Sequence, residues 1–192
     1  MSPTFHRAAL MVIDMQDDMR PLMHRPARTI AVIAELSARA RAMDVPVITV
    51  RQRGCGDVLP ELAPHAGEPV VTKSSADAFL DTDLGSTLTR LAVTELLITG
   101  FATENCVETT ARRSLSEGYD LTLVSDAHTT SLRPAGSAFA PPDQAIAHHN
   151  EIYRHIDFPA RSIRVLPAAE VDFGVPSSRG GVRGSLAGGC VG

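Results

Sequence analysis

The amino-acid sequence predicts an α/β fold in which helices cover both faces of a mostly parallel six-stranded sheet, as in a Rossmann-like three-layer sandwich. Two observations lead to this prediction. Short apolar runs alternate with segments of helical periodicity along the 192 residues, which is the pattern of successive β-α-β units. The apolar runs are also continuous, as expected of strands that are buried on both faces of a parallel sheet.

Six apolar runs are the candidate strands, at residues 8–14, 45–50, 68–73, 96–98, 121–126 and 163–166. Four segments have helical spacing, at residues 26–43, at 84–91, from Thr103 onward and around 145–152. Pro26 suits the first turn of its helix, because that turn leaves amide hydrogens unbonded and proline has none. Gly100 is expected to end the fourth strand, and Gly118 to close the turn after the third helix.

A single domain is predicted over residues 1–175, since a chain of 192 residues is long enough to bury a full core. Residues 176–192 are rich in glycine and serine. They lack the apolar side chains that a core needs, so we expect them to form a flexible tail.

The bulk composition argues against several classes of protein. A net charge of −4 and 4% aromatic residues, with no tryptophan, do not suit a nucleic-acid-binding surface. No apolar run reaches transmembrane length and residues 1–7 lack the apolar core of a signal peptide, so we expect a cytoplasmic protein without a membrane partner. The three cysteines, Cys55, Cys106 and Cys190, are odd in number and widely spaced, which indicates thiols in a reducing compartment.

Cys106 follows the fourth candidate strand, in a segment whose apolar residues recur at four-residue spacing, as at Val107 and Ala111. In parallel α/β sheets, ligands bind at this edge. The positive end of a helix favours a thiolate over a thiol, so the position predicts a nucleophile with a lowered pKa. The alternative is that a lone cysteine serves as a small buried apolar residue.

Asp14 and Lys73 end the first and the third candidate strand. Because the carboxyl ends of parallel strands meet at one edge of a sheet, we expect both residues on the edge that carries Cys106. A carboxylate, an amine and a thiol at one place suit acid–base and nucleophilic catalysis. The alternatives are a loop carboxylate or helix cap for Asp14 and a solvated surface charge for Lys73.

A glycine-rich loop follows the second strand and carries Arg51, Arg53 and Cys55. A planar guanidinium binds a carboxylate at two points, so Arg51 or Arg53 is a candidate for binding a substrate carboxylate. The alternative is a solvated charged loop. Cys55 is a second candidate nucleophile, but no strand-to-helix turn follows it, and it ranks below Cys106.

Three stretches carry the motifs of a known family in one collinear order. They are VIDMQDDM at residues 12–19, then GEPVVTK at 67–73 followed by Ala78, Phe79 and Thr82, and GFATENCV at 100–107 followed by Thr110, Ala111 and Arg112. Together they resemble the isochorismatase-like cysteine hydrolase family over about residues 8–170. Asp77 stands where that family commonly has a serine.

The resemblance implies cysteine-dependent hydrolysis of a small molecule. Cys106 would attack an amide carbonyl, Asp14 would carry the thiol proton to the leaving amine, and Lys73 would hold both charges in place. The backbone N–H groups of Ala102 and Cys106 would form the oxyanion hole, after a cis peptide bond between Phe101 and Ala102.

Substrate-binding residues and partners are also implied by the resemblance. Gln16, Met19 and Phe101 would belong to the substrate pocket, in which Met19 replaces the family's usual aromatic residue. The resemblance implies no cofactor, and the protein would be a homo-oligomer, either a dimer or a tetramer.

Two comparisons within the resemblance narrow the substrate. Nicotinamidases of the family carry a metal-binding Asp-x-His after the second strand, whereas residues 51–57 contain no histidine, so we expect neither a catalytic metal nor a nicotinamide substrate. True isochorismatases often lack the cysteine, so Cys106 favours the C–N bond of an amide or ureido compound. Vinyl-ether hydrolysis, a catalytically silent binding protein, and a redox protein that pairs Cys106 with Cys55 stay open as alternatives.

Overall fold

The computed structural model describes residues 7–174. The predicted tail at 176–192, with Cys190, lies outside the described residues. Within the described part of the chain, no helix is both long and apolar enough to cross a membrane.

Within residues 7–174, six strands form one sheet, and all six predicted strands are confirmed. Their bounds are Ala8–Ile13 for β1, Val47–Gln52 for β2, Val70–Lys73 for β3, Glu95–Phe101 for β4, Asp120–Thr129 for β5 and Ile163–Leu166 for β6. The strand order is β3-β2-β1-β4-β5-β6. Every neighbouring pair is parallel, so the sheet is parallel throughout.

In the described part of the chain, four α-helices connect the strands, at Pro26–Ala42 (α1), Leu84–Arg90 (α2), Glu108–Ser116 (α3) and Pro142–His155 (α4). Short 3₁₀ turns lie at Asp17–Leu22, Pro60–Leu62 and Ala168–Glu170, and a π-helical turn at Thr103–Val107 leads into α3. Helix α1 packs into the core on one face of the sheet. Helices α2, α3 and α4 pack into the core on the other face, which confirms the three layers.

Strand β1 explains why the apolar runs are continuous. Leu10 and Val12 point into the core beneath α1, while Met11 and Ile13 point into the core beneath the other three helices. All four side chains are buried. Successive side chains of a strand face opposite sides, so a strand covered on both faces needs an apolar residue at every position.

Gly100 lies within β4, which continues to Phe101, so the expectation that this glycine ends the strand was wrong. Its φ angle is +115°, and a Cβ atom there would lie 2.1 Å from the carbonyl oxygen of Ile13. No side chain fits such a gap. Gly100 therefore marks a close approach of β1 and β4 rather than the end of a strand.

The two central strands, β1 and β4, are also the point where the strand order reverses. From β1 the chain proceeds outward to β2 and β3, and from β4 it proceeds outward to β5 and β6. The connections on either side leave a crevice at the carboxyl ends of such a strand pair, which is where open α/β sheets bind ligands. Asp14 directly follows β1, and Cys106 lies five residues after the end of β4.

Candidate active site

Asp14, Lys73 and Cys106 meet at the carboxyl edge of the sheet. The Lys73 ammonium donates to Asp14 Oδ2 at 2.7 Å and lies 3.3 Å from Cys106 Sγ. The side chains of Asp14 and Lys73 are completely buried. The structure thus brings together the acid, the amine and the thiol that the sequence placed at three separate strand ends.

The local backbone presents each of the three side chains. Asp14 leaves β1 in a left-handed conformation with φ of 51°, and its N–H donates to Val50 O on the neighbouring strand at 2.8 Å. Lys73 is the last residue of β3. Cys106 lies in the π-helical turn between β4 and α3, a wide type of turn that is frequent at functional sites.

Gln52 is a residue of the candidate site that the sequence analysis missed. Lys73 Nζ donates to its Oε1 at 2.7 Å and to the carbonyl of Ser75 at 3.0 Å. The second strand was predicted to end at residue 50 but continues to Gln52. The pairing of Gln52 with Lys73 across β2 and β3 therefore could not be read from the apolar run alone.

The two oxygens of Asp14 have different surroundings. Oδ2 accepts the Lys73 bond, whereas Oδ1 is buried and has no hydrogen-bond partner among the described residues. Burial raises the pKa of Asp14 above its ordinary value, although the Lys73 charge opposes this effect. A base with one unpartnered oxygen next to a thiol can accept the thiol proton.

The Cys106 thiol is less acidic than the sequence suggested. Burial and the negative charge of Asp14 raise its pKa to about 11, while Lys73 acts in the opposite direction. The expected lowering by the helix N-terminus was wrong, because desolvation disfavours the charged form of a buried thiol. A raised pKa favours the protonated thiol, so a nucleophilic role for Cys106 would need a nearby base.

A cavity of about 380 Å³ opens onto this cluster. Among the residues predicted for the site, it is lined by Asp14, Met19, Phe101, Ala102 and Cys106. Six further lining residues were not predicted, namely Gln52, Ser74, Ser75, Ala76, Asn105 and Ser131. Most of these lie in loops just beyond strand ends, where the apolar pattern that locates strands carries no signal.

The Phe101–Ala102 peptide bond is cis, as expected. Ala102 O accepts the N–H groups of Asn105 at 3.0 Å and Val107 at 3.2 Å, which closes the turn around Cys106. Ala102 and Cys106 both border the cavity. Their backbone N–H groups stay our prediction for the oxyanion hole.

Gln16 has a different environment from the one expected of a substrate-binding residue. Its Nε2 donates to the carbonyls of Gln52 at 3.1 Å and Gly56 at 2.9 Å, and its Oε1 accepts the Gln52 N–H at 2.7 Å. The side chain is completely buried and is not among the residues that line the cavity. These bonds hold the loop after β2 in place and fix the backbone of Gln52.

Neither Arg51 nor Arg53 is among the residues that line the cavity. Arg53 lies at its rim, where its Nε donates to the hydroxyl of Ser74 at 3.2 Å. Arg51 Nε is buried and has no hydrogen-bond partner within residues 7–174. Of the two predicted carboxylate-binding residues, Arg53 is thus the one in contact with the cavity wall.

Cys55 and Cys106 are both free thiols. Cys55 lies in the loop after β2, with its thiol 3.9 Å from the carbonyl of Arg53. In the part of the chain that is described, no three His, Cys, Asp or Glu side chains are grouped as metal ligands. Metal independence nevertheless stays a prediction.

A second polar network connects β5 to the π-helical turn at Thr103–Val107, which carries Cys106. His128 is buried between the Thr103 hydroxyl, 2.9 Å from Nδ1, and Asn150 Oδ1, 3.0 Å from Nε2. Burial lowers the pKa of His128 to about 4, so the imidazole is neutral at physiological pH. Glu104, next in the chain after Thr103, pairs with Arg133.

Comparisons with known proteins agree with this fold and site. The family model of the isochorismatase domain matches residues 8–140. A crystal structure of an isochorismatase from Pseudomonas putida KT2440 superposes with a TM-score of 0.77 at 29% identity, covering 86% of this chain and 90% of that chain.

Two curated relatives are similar over shorter stretches. Streptothricin hydrolase of Streptomyces noursei is 34% identical over 143 residues, which are 66% of this chain and 51% of that protein. Ureidoacrylate amidohydrolase RutB of Serratia proteamaculans is 34% identical over 97 residues, or 50% of this chain and 37% of that protein. The chain spans about half the length of the first of these and less of the second. The extent of the domain match, together with the fold, shows that this chain belongs to the isochorismatase family.

Proposed function

We propose that this protein is a cysteine-dependent hydrolase that cleaves the C–N bond of a small amide or ureido compound through a thioester intermediate. The observation that carries the proposal is the buried contact of Lys73 with both Asp14 and Cys106, at 2.7 and 3.3 Å. Such a reaction needs a nucleophile, a proton acceptor and a fixed positive charge that lie close together.

In the first half of the reaction, Cys106 Sγ bonds to the substrate carbonyl carbon while its proton passes to Asp14. The C–O double bond becomes an oxyanion, which the N–H groups of Ala102 and Cys106 would stabilise. The carbonyl then re-forms and the C–N bond breaks. Asp14 returns the proton to the nitrogen, so ammonia or an amine leaves and a thioester stays on Cys106.

In the second half, water attacks the thioester carbonyl and gives a proton to Asp14. The C–S bond breaks, the thiol recovers that proton, and the acid product leaves. Lys73 keeps its charge throughout and offsets the negative charge that moves between sulfur and carboxylate. Burial and the charge of Asp14 raise the pKa of the resting thiol, so the attack needs a base, and Asp14 has that role in the proposed mechanism.

The names of the two curated relatives support a hydrolase, and the name of the second supports the amide branch of the proposal. One is a streptothricin hydrolase and the other a ureidoacrylate amidohydrolase. A cavity of about 380 Å³ suits a small substrate. Contact between Cys106 and Lys73 also favours covalent catalysis over vinyl-ether hydrolysis, since the true isochorismatases of the resemblance often lack the cysteine.

The test is ammonia release from a panel of small amides and ureido acids by three proteins: the native chain, Cys106→Ala and Cys55→Ala. We expect Cys106→Ala to fall to the background rate, because it removes the nucleophile. Cys55→Ala is the matched control, since Cys55 is also a free thiol but lies outside the buried cluster. Its rate should stay within about twofold of native, as expected for a position without a catalytic contact.

Hydrolysis that survives in Cys106→Ala would end the cysteine-hydrolase proposal. A native protein that hydrolyses a vinyl ether and none of the amides would point to the isochorismatase-type reaction instead. If the protein is inactive on every compound although the Cys106 thiol still reacts with a thiol reagent, a binding protein would be favoured.

A further inference from the structure

Two residues of the family motifs lie close to the site without taking part in the proposed chemistry. Thr110 follows Cys106 by four residues, in helix α3. Asp77 lies in the segment after Lys73, at residues 74–78, which we call the lysine loop. The contacts of these two residues connect the lysine loop to the helix of the nucleophile.

The Thr110 hydroxyl bonds to the lysine loop at two points. It accepts the N–H of Ala78 at 3.2 Å and donates to the carbonyl of Ala76 at 3.3 Å. Thr110 is completely buried. A single hydroxyl therefore uses its donor and one acceptor site to hold both sides of the last turn of the loop.

Asp77 fastens the same loop from the solvent side. Its Oδ1 accepts the N–H of Phe79 at 2.8 Å, and its Oδ2 lies 3.3 Å from the guanidinium of Arg113, also on α3. Arg113 is 42% exposed, so this ion pair is well solvated and weaker than a buried one. Thr110 and Arg113 are three residues apart on one face of the helix, where such residues are neighbours.

The position of the lysine loop matters to the reaction because the loop holds Lys73. Ser75 O accepts one of the Lys73 Nζ hydrogen bonds at 3.0 Å. Ser74, Ser75 and Ala76 also form part of the cavity wall. The ammonium is also bonded to Asp14 and Gln52, at 2.7 Å each, and the Ser75 carbonyl is its contact on the side of the lysine loop. A loop that moves away from α3 would remove that contact and change the position of the ammonium relative to Cys106 Sγ.

We propose that Thr110 is a positioning residue: its hydroxyl locks the lysine loop to the helix of Cys106 and so sets the distance between the Lys73 ammonium and the nucleophile. This inference rests on the proposed function. Asp77 has the same role from outside, with a smaller effect. Cys106 and Lys73 would then keep a fixed separation, although they follow different strands.

The test compares Thr110→Val, which removes the hydroxyl with little change of shape, with Thr110→Ser, which keeps it. Two quantities are measured in each variant: the kinetics of amide hydrolysis, and the pH dependence of Cys106 alkylation by iodoacetamide in a chain without Cys55 and Cys190. Alkylation needs no knowledge of the substrate. It reports on the ammonium, because a nearby positive charge promotes formation of the thiolate.

In Thr110→Val we expect kcat to fall on the order of 10–100-fold with little change in KM, since small misplacements of catalytic groups have effects of that size. The alkylation midpoint should move to higher pH. Thr110→Ser should restore both quantities to nearly native values. The matched control is Thr99→Val, because Thr99 is equally buried and its hydroxyl donates to Met11 O at 2.7 Å, away from the cavity.

Thr99→Val is expected to lower stability while leaving kcat and the alkylation midpoint native. An unchanged midpoint in folded Thr110→Val, or an equal change in Thr99→Val, would overturn the proposal. If Thr110→Val does not fold, Asp77→Ala decides: an upward shift of the midpoint supports the positioning role and no shift contradicts it. Failure of every amide as a substrate would refute the proposed function, whereas the alkylation comparison would still decide this inference.

Discussion

Two buried carboxylates lie at opposite edges of the same sheet and have opposite surroundings. Glu95, at the amino end of β4, accepts from the Thr122 hydroxyl at 2.6 Å and from Arg164 at 2.8 Å. Asp14, beyond the carboxyl end of β1, has Lys73 on one oxygen and no partner among the described residues on the other. Both side chains are completely buried.

The difference fits the roles that we propose, in which Glu95 serves stability and Asp14 serves chemistry. A buried carboxylate usually gains enough hydrogen bonds to offset its lost hydration. Glu95 is held in this way, by a hydroxyl and by a guanidinium that is itself partly exposed. Asp14 Oδ1 lacks such a bond among the described residues, and in the proposed reaction this carboxylate accepts the proton of Cys106.

The largest effect that this comparison predicts is the loss of activity in Asp14→Asn. An amide cannot take the thiol proton, so we expect ammonia release to fall about 10²–10⁴-fold, the usual contribution of a general base. The change also leaves Lys73 buried without its counterion and will lower stability. The double variant Asp14→Asn, Lys73→Met should regain stability but not activity, and a double variant that hydrolyses amides would show that Asp14 is not the base.

The second prediction concerns the pKa of the Cys106 thiol. The negative charge of Asp14 is, after burial, the next cause that raises this pKa to about 11, so Asp14→Asn should lower it. The ultraviolet absorbance of the thiolate, followed against pH in a chain without the other two cysteines, measures the change. Glu95→Gln is the control and should leave the midpoint where it is in the native chain.

A third prediction tests whether the carboxyl edge also binds the charge of the substrate. If Arg53 binds a carboxylate, the native protein should prefer an amido or ureido acid over its methyl ester. A charge-assisted contact of about 1.5–3 kcal/mol corresponds to roughly a tenfold or larger preference in kcat/KM. Arg53→Gln should remove the preference, while Arg51→Gln should keep it. Equal kcat/KM for acid and ester in all three proteins would exclude this role.

The smallest effect on activity is expected at the amino edge. Glu95→Gln should change the rate by less than about twofold, because the residue lies at the end of the sheet remote from the cavity. Its free energy of unfolding should fall by about 1–3 kcal/mol, since a charged hydrogen bond in the interior is weakened. Urea denaturation measures this loss. A large fall in kcat in a stable Glu95→Gln protein would mean that the two edges are coupled.

The sequence was sufficient for the parts of the site that depend on strand ends. Asp14, Lys73 and Cys106 each follow an apolar run, and in a parallel sheet the ends of such runs converge. Gln52 escaped prediction because the two polar residues that close β2 look like loop. An apolar run does not show that its strand continues through the polar residues that follow it.

Electrostatics could not be predicted in the same way. The helix that follows Cys106 suggested a lowered thiol pKa, but burial and the charge of Asp14 raise it. Burial depends on residues distant in sequence, and local pattern does not report it. Gln16 illustrates the same limit, because its motif position suggested substrate binding while its hydrogen bonds hold the loop after β2.

The topology of the site also ties activity to the completion of folding. Lys73 is separated from Asp14 by 59 residues and from Cys106 by 33 residues along the chain. These side chains come into contact only after strands on both sides of the reversal in strand order have assembled, which is a late and non-local event. In a partly folded chain the thiol would lack its proposed base, so the proposed hydrolysis requires molecules in which β3, β2, β1 and β4 have all paired.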